Sequence, residues 1–315
     1  MKKIITLAAL LTLSACNSQS NAPVNMSCVT SLHVLGNGQD AGKPQIGVHS
    51  DPAWSDPDLR ALATSVAVVD QESGARYLID ATPDIKAQLY ILDQQVGSTG
   101  FQLDGVFLTH AHIGHYLGLA QLGREAMGAK SIPVYAMPRM EAFLRNNGPW
   151  DQLVELNNID LKSLKVDQPI SLNGAIKIEP FLVPHRGEYS ETVGYKIQGA
   201  NKSAIFLPDI DSWEEFEQQG VQLSDVIKTA DYIFIDGSFF SGDELPGRDM
   251  SKIPHPTITR TMDYLRELDA TERKKVKFIH LNHSNPVHDE HTNAFEDIEK
   301  AGYSIAQMGE QYCLD

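Results

Sequence analysis

The stretch Gly105–Leu119, GVFLTHAHIGHYLGL, decides how the rest of the chain is read. Its opening residues are apolar with a β-branched and an aromatic member, as in a buried strand, and they stop at Leu108. His110, His112 and His115 then follow within a loop that opens a helical pattern. Imidazoles two residues apart on a tight turn converge on one cation, and a third placed five residues after the first faces a neighbouring position. Neutral imidazole nitrogen donates to zinc and related metals without requiring a buried charge. Three such rings beside a strand end are metal ligands far more often than packing residues.

Outward from that stretch, short apolar runs bounded by turn residues recur. They are Leu32–Leu35, Val66–Val69, Tyr77–Ile79, Gly105–Leu108, Ile132–Tyr135, Ile176–Leu182, Ala204–Leu207, Tyr232–Ile235 and Val276–Ile279. Helical patterns over Tyr116–Met127, Met137–Asn146 and Thr257–Leu268 lie between several of them. Hairpin-like strands first, then strands alternating with helices, predict a mixed sheet system covered by helices. Three of the runs lead directly to a candidate donor: His185 in FLVPHRGEYSETVGYKI, Asp209 in AIFLPDID and His280 in VKFIHLNHSNP. Taken alone, a histidine past a strand end is more often a satisfied or exposed residue than a ligand.

Their order after HAHIGH reverses that judgement. The histidine run resembles the HxHxDH signature of the metallo-β-lactamase superfamily, with Gly114 standing where that family has Asp. The resemblance covers nearly all of the chain after its N-terminal segment. It implies an α/β (α+β) fold, a four-layer αβ/βα sandwich, and one or two divalent metal ions, zinc first, with manganese or iron compatible. It places one metal on His110, His112, His185 and Asp209, and a second on His115, Asp209 and His280, with Asp209 bridging and catalytic. Asp211 and His283 stand as alternatives to Asp209 and His280 for contacting metal or substrate. Losing the carboxylate at position 114 should weaken the second metal position by at least about 10-fold. Asp104, just before the metal-bearing strand, and Asp236, at a strand end, are expected to orient ligand imidazoles. Arg186, Tyr189 and Ser190 follow His185 on an expected active-site loop.

LGNGQDAGKPQIGV (35–48), LIDATPDIKAQL (78–89), IDGSFF, IPHPTI and HLNHSNP narrow the resemblance to the branch of coenzyme PQQ biosynthesis protein B and related cyclic phosphodiesterases. His255-Pro256-Thr257 matches the His-x-Thr element of those phosphodiesterases, which makes His255 a candidate for transition-state stabilisation or leaving-group protonation. A histidine that merely caps the helix starting at Thr257 is the alternative. The function implied is metal-dependent hydrolysis of a small ester-like substrate by a metal-activated water, a phosphodiester first. Lactone or β-lactam hydrolysis is the rival chemistry, and a non-catalytic metal-binding lipoprotein the rival class.

The N-terminus reads separately. Lys2 and Lys3 precede an apolar stretch, Ile4–Leu13, too short to span a bilayer but suited to a signal-peptide core. Leu13-Ser14-Ala15-Cys16 resembles the lipobox of bacterial lipoproteins, implying residues 1–15 as signal peptide, Cys16 as the lipidation site, and 16–27 as lipidated cysteine and flexible tether. The expected location is the bacterial cell envelope, anchored by lipid to the outer membrane and facing the periplasm, with residues 28–315 as the hydrolase domain. Cys28 and Cys313 are then candidates for a disulfide in that oxidising compartment. A formal charge of −15 disfavours nucleic acid as a partner, leaving a small-molecule substrate; the oligomeric state is not legible.

Overall fold

The computed structural model describes residues 28–315; the expected signal peptide, Cys16 and the tether lie outside the described residues. The strand at Val66–Val69 shows why the apolar runs are continuous rather than alternating. Val66 and Val68 face one core and Ala67 and Val69 another, so both faces are buried. Among the described residues, fourteen strands form two seven-stranded sheets.

The first sheet holds β1 (Thr30–Gly36), β2 (Ser65–Asp70), β3 (Arg76–Ile79), β4 (Gly105–Phe107), β5 (Ile132–Ala136) and β6 (Ile159–Ser163). The second holds β7 (Ile170–Ser171), β8 (Lys177–Leu182), β9 (Val193–Gln198), β10 (Ser203–Leu207), β11 (Tyr232–Asp236), β12 (Val276–Ile279) and β13 (Ser304–Ile305). The last strand, β14 (Gln311–Cys313), returns to the first sheet and pairs antiparallel with β1. Strand orders are β14-β1-β2-β3-β4-β5-β6 and β13-β12-β11-β10-β9-β8-β7. Each sheet is half antiparallel and half parallel: β3 to β6 run parallel in one, β10 to β13 in the other.

Helices cover the outer faces. They are α1 (Ile85–Val96), α2 (Ile113–Tyr116), α3 (Pro138–Asn146), α4 (Trp150–Glu155), α5 (Trp213–Gln218), α6 (Leu223–Lys228), α7 (Ile258–Tyr264), α8 (Ala270–Arg273) and α9 (Asn293–Lys300). Between the sheets, Val34, Val66, Val68 and Phe107 meet Ile178, Tyr195, Phe206 and Phe234. Outside the first sheet, Leu78 and Val106 meet Leu89, Leu92, Met140 and Trp150. Outside the second, Ile205 and Ile233 meet Trp213, Phe216, Ile258 and Ile298. The result is the expected four-layer sandwich, helix on sheet on sheet on helix.

Two local differences from the sequence reading have physical causes. The helix expected over Tyr116–Met127 is only α2 followed by a 3-10 segment at Leu117–Leu122. Gly118 lies against the Ala81 and Thr82 carbonyls and donates its N–H to Ala81 at 2.8 Å, so the chain is pinned to the loop after β3 instead of continuing as a helix. The helix expected over Thr257–Leu268 is shorter: α7 starts after Thr257, whose hydroxyl accepts from Arg260 N, and stops at Tyr264. A disulfide joins Cys28 to Cys313 across the β1–β14 edge, with Cα atoms 5.5 Å apart. Among the described residues no helix is long and apolar enough to cross a membrane.

Candidate metal centre

The parallel strands of both sheets deliver polar residues from their carboxyl ends, and these meet at one edge of the sandwich. This is the general position for sites in parallel α/β sheets. In the first sheet, β3 leads to Asp80, and β4 leads through Leu108 to Thr109 and His110. In the second, β10 leads to Asp209, β11 ends in Asp236, and β12 leads to His280. The sheets are tied together there, since Val193 N donates to Thr109 O at 3.1 Å and Tyr195 OH to Leu108 O at 2.5 Å.

His110, His112 and His185 point their ring nitrogens at one another: His110 Nε2 is 2.9 Å and His185 Nε2 3.1 Å from His112 Nδ1. A tetrahedral cation with metal–nitrogen distances of about 2.0–2.1 Å holds its nitrogens roughly 3.3 Å apart. The three rings are therefore spaced for such an ion. Asp209 lies between this trio and a second group. Its Oδ1 is 3.8 Å from His185 Nε2, and its Oδ2 is 3.8 Å from His110 Nε2, 3.0 Å from His115 Nε2 and 3.2 Å from His280 Nε2. His115 Nε2, His280 Nε2 and Asp209 Oδ2 are buried, and none has a hydrogen-bond partner. Buried polar atoms are normally satisfied, so converging orphans fit a divalent cation.

The surrounding polar residues fix these rings. Asp80, fully buried, accepts from His115 Nδ1 at 2.8 Å and from Thr109 N at 2.8 Å, and its two oxygens receive the Thr109 hydroxyl. Thr109 Oγ1 in turn lies 2.9 Å from His110 Nδ1. Asp211 Oδ1 is 2.7 Å from His185 Nδ1, on the side of the ring away from the trio. Ser190 Oγ accepts from Ala111 N at 2.8 Å, so the loop after His185 braces the first histidine loop. Arg186 and Tyr189 make no hydrogen bond into the cluster; Tyr189 stacks on Phe143.

Electrostatics follow from this layout. Burial, reinforced by the charge of His115, drives His110 well below the ordinary imidazole range. Burial also resists protonation of His115, but Asp80 and Asp209 override it and hold that imidazole well above its usual value. Burial disfavours ionised Asp209, yet His280, His115 and His185 keep its carboxyl well below the carboxylate range. The centre thus pairs a permanent carboxylate with His110, His112 and His280 held neutral for nitrogen donation, while His115 carries its proton against Asp209 until a cation takes its place.

His255 joins the cluster from the loop before α7. Its Nδ1 is 2.7 Å from Asp236 Oδ2 and 3.8 Å from Asp209 Oδ1, and its ring centroid lies 5.6 Å from His185 and 5.9 Å from His280. The cap of α7 is Thr257 itself, so His255 does not serve there. Burial opposes its protonation, but Asp236 outweighs burial and raises it to about 9. Beside it opens a cleft of about 520 Å³, bordered by Asp211, His255, Thr257 and Arg260.

Three expected positions differ in the structure. Asp104 does not reach an imidazole; it accepts from Arg76 N at 2.9 Å and Gln102 Nε2 at 3.0 Å. It precedes β4 and so sits at the amino end of a strand whose carboxyl end carries the histidines. Asp80, after the neighbouring parallel strand, takes that place and escaped the sequence reading; the signal was an Asp closing the apolar run Tyr77–Ile79, as Asp236 closes Tyr232–Ile235. His283 lies away from the cluster, where its carbonyl accepts from Lys43 Nζ at 3.1 Å, and Asp211 stands behind His185 rather than beside Asp209.

Four layers, two mirrored parallel half-sheets and an imidazole–carboxylate cluster at their carboxyl ends define a metal hydrolase of the metallo-β-lactamase type. Residues 75–281 match the beta-lactamase superfamily domain, and the chain belongs to that family. It is 25% identical over 307 residues to coenzyme PQQ synthesis protein B of Xanthomonas campestris pv. campestris, covering 89% of this chain and 99% of that one. The fold is like that of Zn²⁺-bound PqqB from Methylobacterium extorquens, with a TM-score of 0.74, 20% identity, and coverage of 90% of this chain and 99% of the other. It is also like a diphosphatase from the PhnP family, with a TM-score of 0.62, 26% identity, and coverage of 90% and 96%.

Proposed function

We propose that this protein is a metal-dependent hydrolase of small phosphodiesters. The observation that carries the reading is the His255–Asp236 pair, 2.7 Å apart and set against the metal-type cluster through Asp209. A lactone or β-lactam needs no imidazolium at that position. A phosphodiester has both a negative oxygen to receive one and an alkoxide leaving group to protonate. The likeness to a PhnP-family diphosphatase supports hydrolysis at phosphorus.

His110, His112 and His185 would hold one cation, His115 and His280 would hold another, and Asp209 would reach both. When bound, such cations supply a water of lowered pKa and polarise the phosphoryl oxygen. Asp80 accepts from Nδ1 of His115 and Asp211 Oδ1 lies 2.7 Å from Nδ1 of His185, which turns Nε2 of each ring toward Asp209. Asp236 stabilises positive charge on the His255 ring through Nδ1, and His255 Nε2 delivers its proton to the departing oxygen. The Asp211–Arg260 cleft receives the remainder of the substrate.

The test compares wild type and His255→Ala on bis(p-nitrophenyl) phosphate and on an acyl-homoserine lactone, with metal content measured in parallel. The expected result is phosphodiester turnover in the wild type that falls about 10²- to 10⁴-fold in the variant at unchanged metal content. Lactone turnover without phosphodiester turnover, or an unaltered rate in the variant, would overturn the reading.

A further inference from the structure

The loop between β1 and β2 brings a carboxylate to the place left by Gly114. A Cβ built on Gly114 would lie 2.5 Å from Asp40 Cα, 2.6 Å from Asp40 Oδ1 and 3.0 Å from Asp40 Cβ. The volume that a side chain at 114 would occupy is therefore already filled, by the backbone and carboxylate of Asp40. Asp40, His115 and His280 each offer a ligand atom, and these atoms all lie within 4.8 Å of one another; Asp40 Oδ1 is 3.8 Å from His115 Nε2. Oxygen and nitrogen ligands at about 2.0–2.2 Å from one ion are separated by roughly 3–4 Å.

The turn that carries Asp40 is tied in place through its neighbours. Leu281 N, one residue past His280, donates to Asn37 O at 2.7 Å, and Gln39 N donates back to Leu281 O at 2.7 Å. Asn282 Nδ2 donates to Gln39 Oε1 at 2.6 Å, and Gly42 N closes the turn onto Gln39 O at 2.8 Å. The loop is thus laced to the same segment that carries His280. Asp40 itself adopts φ +39°, a conformation that Asp tolerates better than most side chains.

We propose that Asp40 supplies to the second metal position the carboxylate ligand that Gly114 lacks, delivered from the β1–β2 loop instead of the histidine loop. This rests on the hydrolase reading above. The glycine and the aspartate are one arrangement: a side chain at 114 and the present course of residues 39–42 exclude each other sterically. Restoring the family residue by Gly114→Asp would then drive a Cβ against the Asp40 main chain instead of repairing a defect.

The experiment loads the purified full-length protein with Zn²⁺ and measures metal per chain by elemental mass spectrometry, with affinities from chelator competition. Wild type, Asp40→Ala and Asp40→Asn are compared, and metal-free thermal melting checks that each variant folds. The expected result is two ions in wild type, with the weaker one lost or bound at least about 10-fold less tightly in both variants. Two ions at wild-type affinity in both variants would overturn this proposal and leave the hydrolase reading standing. A wild type that takes up one ion, unchanged in the variants, would overturn it equally. A wild type that binds no ion would sink both.

Discussion

Replacing Asp80 by Asn tests how the centre is built. The side chain is fully buried and receives Thr109 N, the Thr109 hydroxyl and His115 Nδ1, all within 3.0 Å. Asn tolerates the positive φ of 65° at this position, so the backbone should not object. Its single carbonyl oxygen cannot serve every donor, and its NH₂ meets one of them head-on. An unsatisfied buried donor costs about 1–3 kcal/mol, which for a chain of this size lowers the melting point by roughly 1.5–2 °C per kcal/mol. Metal affinity should fall about 10- to 100-fold, because His115 loses the partner that fixes its ring. Chelator competition reads the affinity and melting of the metal-free protein reads the stability. Asp104→Asn is the control, and its affinity should not change, since among the described residues the Asp104 carboxylate hydrogen-bonds Arg76 and Gln102, not the cluster. Equal affinity in Asp80→Asn and wild type, or an equal loss in both variants, would refute the reasoning.

Removing the disulfide by Cys28→Ser with Cys313→Ser opens a covalent loop whose ends are 285 residues apart, and should cost about 2–5 kcal/mol. Denaturant unfolding with and without reductant checks this; a wild-type midpoint insensitive to reductant would contradict it. Acid stability should depend on His33, which burial, aided by Arg76, lowers to about 4 against the support of Gln95. Because the folded pKa lies below the unfolded one, the unfolded chain takes up the proton first. Stability is therefore full above about pH 6.5 and is lost as pH falls toward about 4, by roughly 3 kcal/mol in all. A His33→Leu variant should show a shallower decline over that window, and an identical slope would exclude His33 as the cause.

What the sequence disclosed depended on how local each signal was. Three histidines in one loop declare themselves, and the buried parallel strands read as uninterrupted apolar runs because neither face meets water. Strand ends in chain order then located His185, Asp209 and His280. Asp80 was harder, since its claim on His115 comes through the pairing of β3 with β4 and not through proximity in the chain. Asp104 was nearer in sequence yet lies at the opposite end of the strand. Asp40 was the least legible: its nearness to Gly114 arises only once the β1–β2 loop is laced to the segment after β12. The overlong helical pattern at Tyr116–Met127 failed for a related reason, because tertiary pinning of Gly118 overrode the local periodicity.

The bridge between Cys28 and Cys313 turns nearly the whole described chain into a closed ring. A protease that nicks one exposed loop within it cannot release a fragment, and both halves of the metal centre stay on one covalent molecule. Dismantling the domain by cleavage takes either two cuts or one cut and a reductant. Its resistance to degradation is therefore tied to the redox state of its surroundings, at a point far in sequence from the histidines it protects.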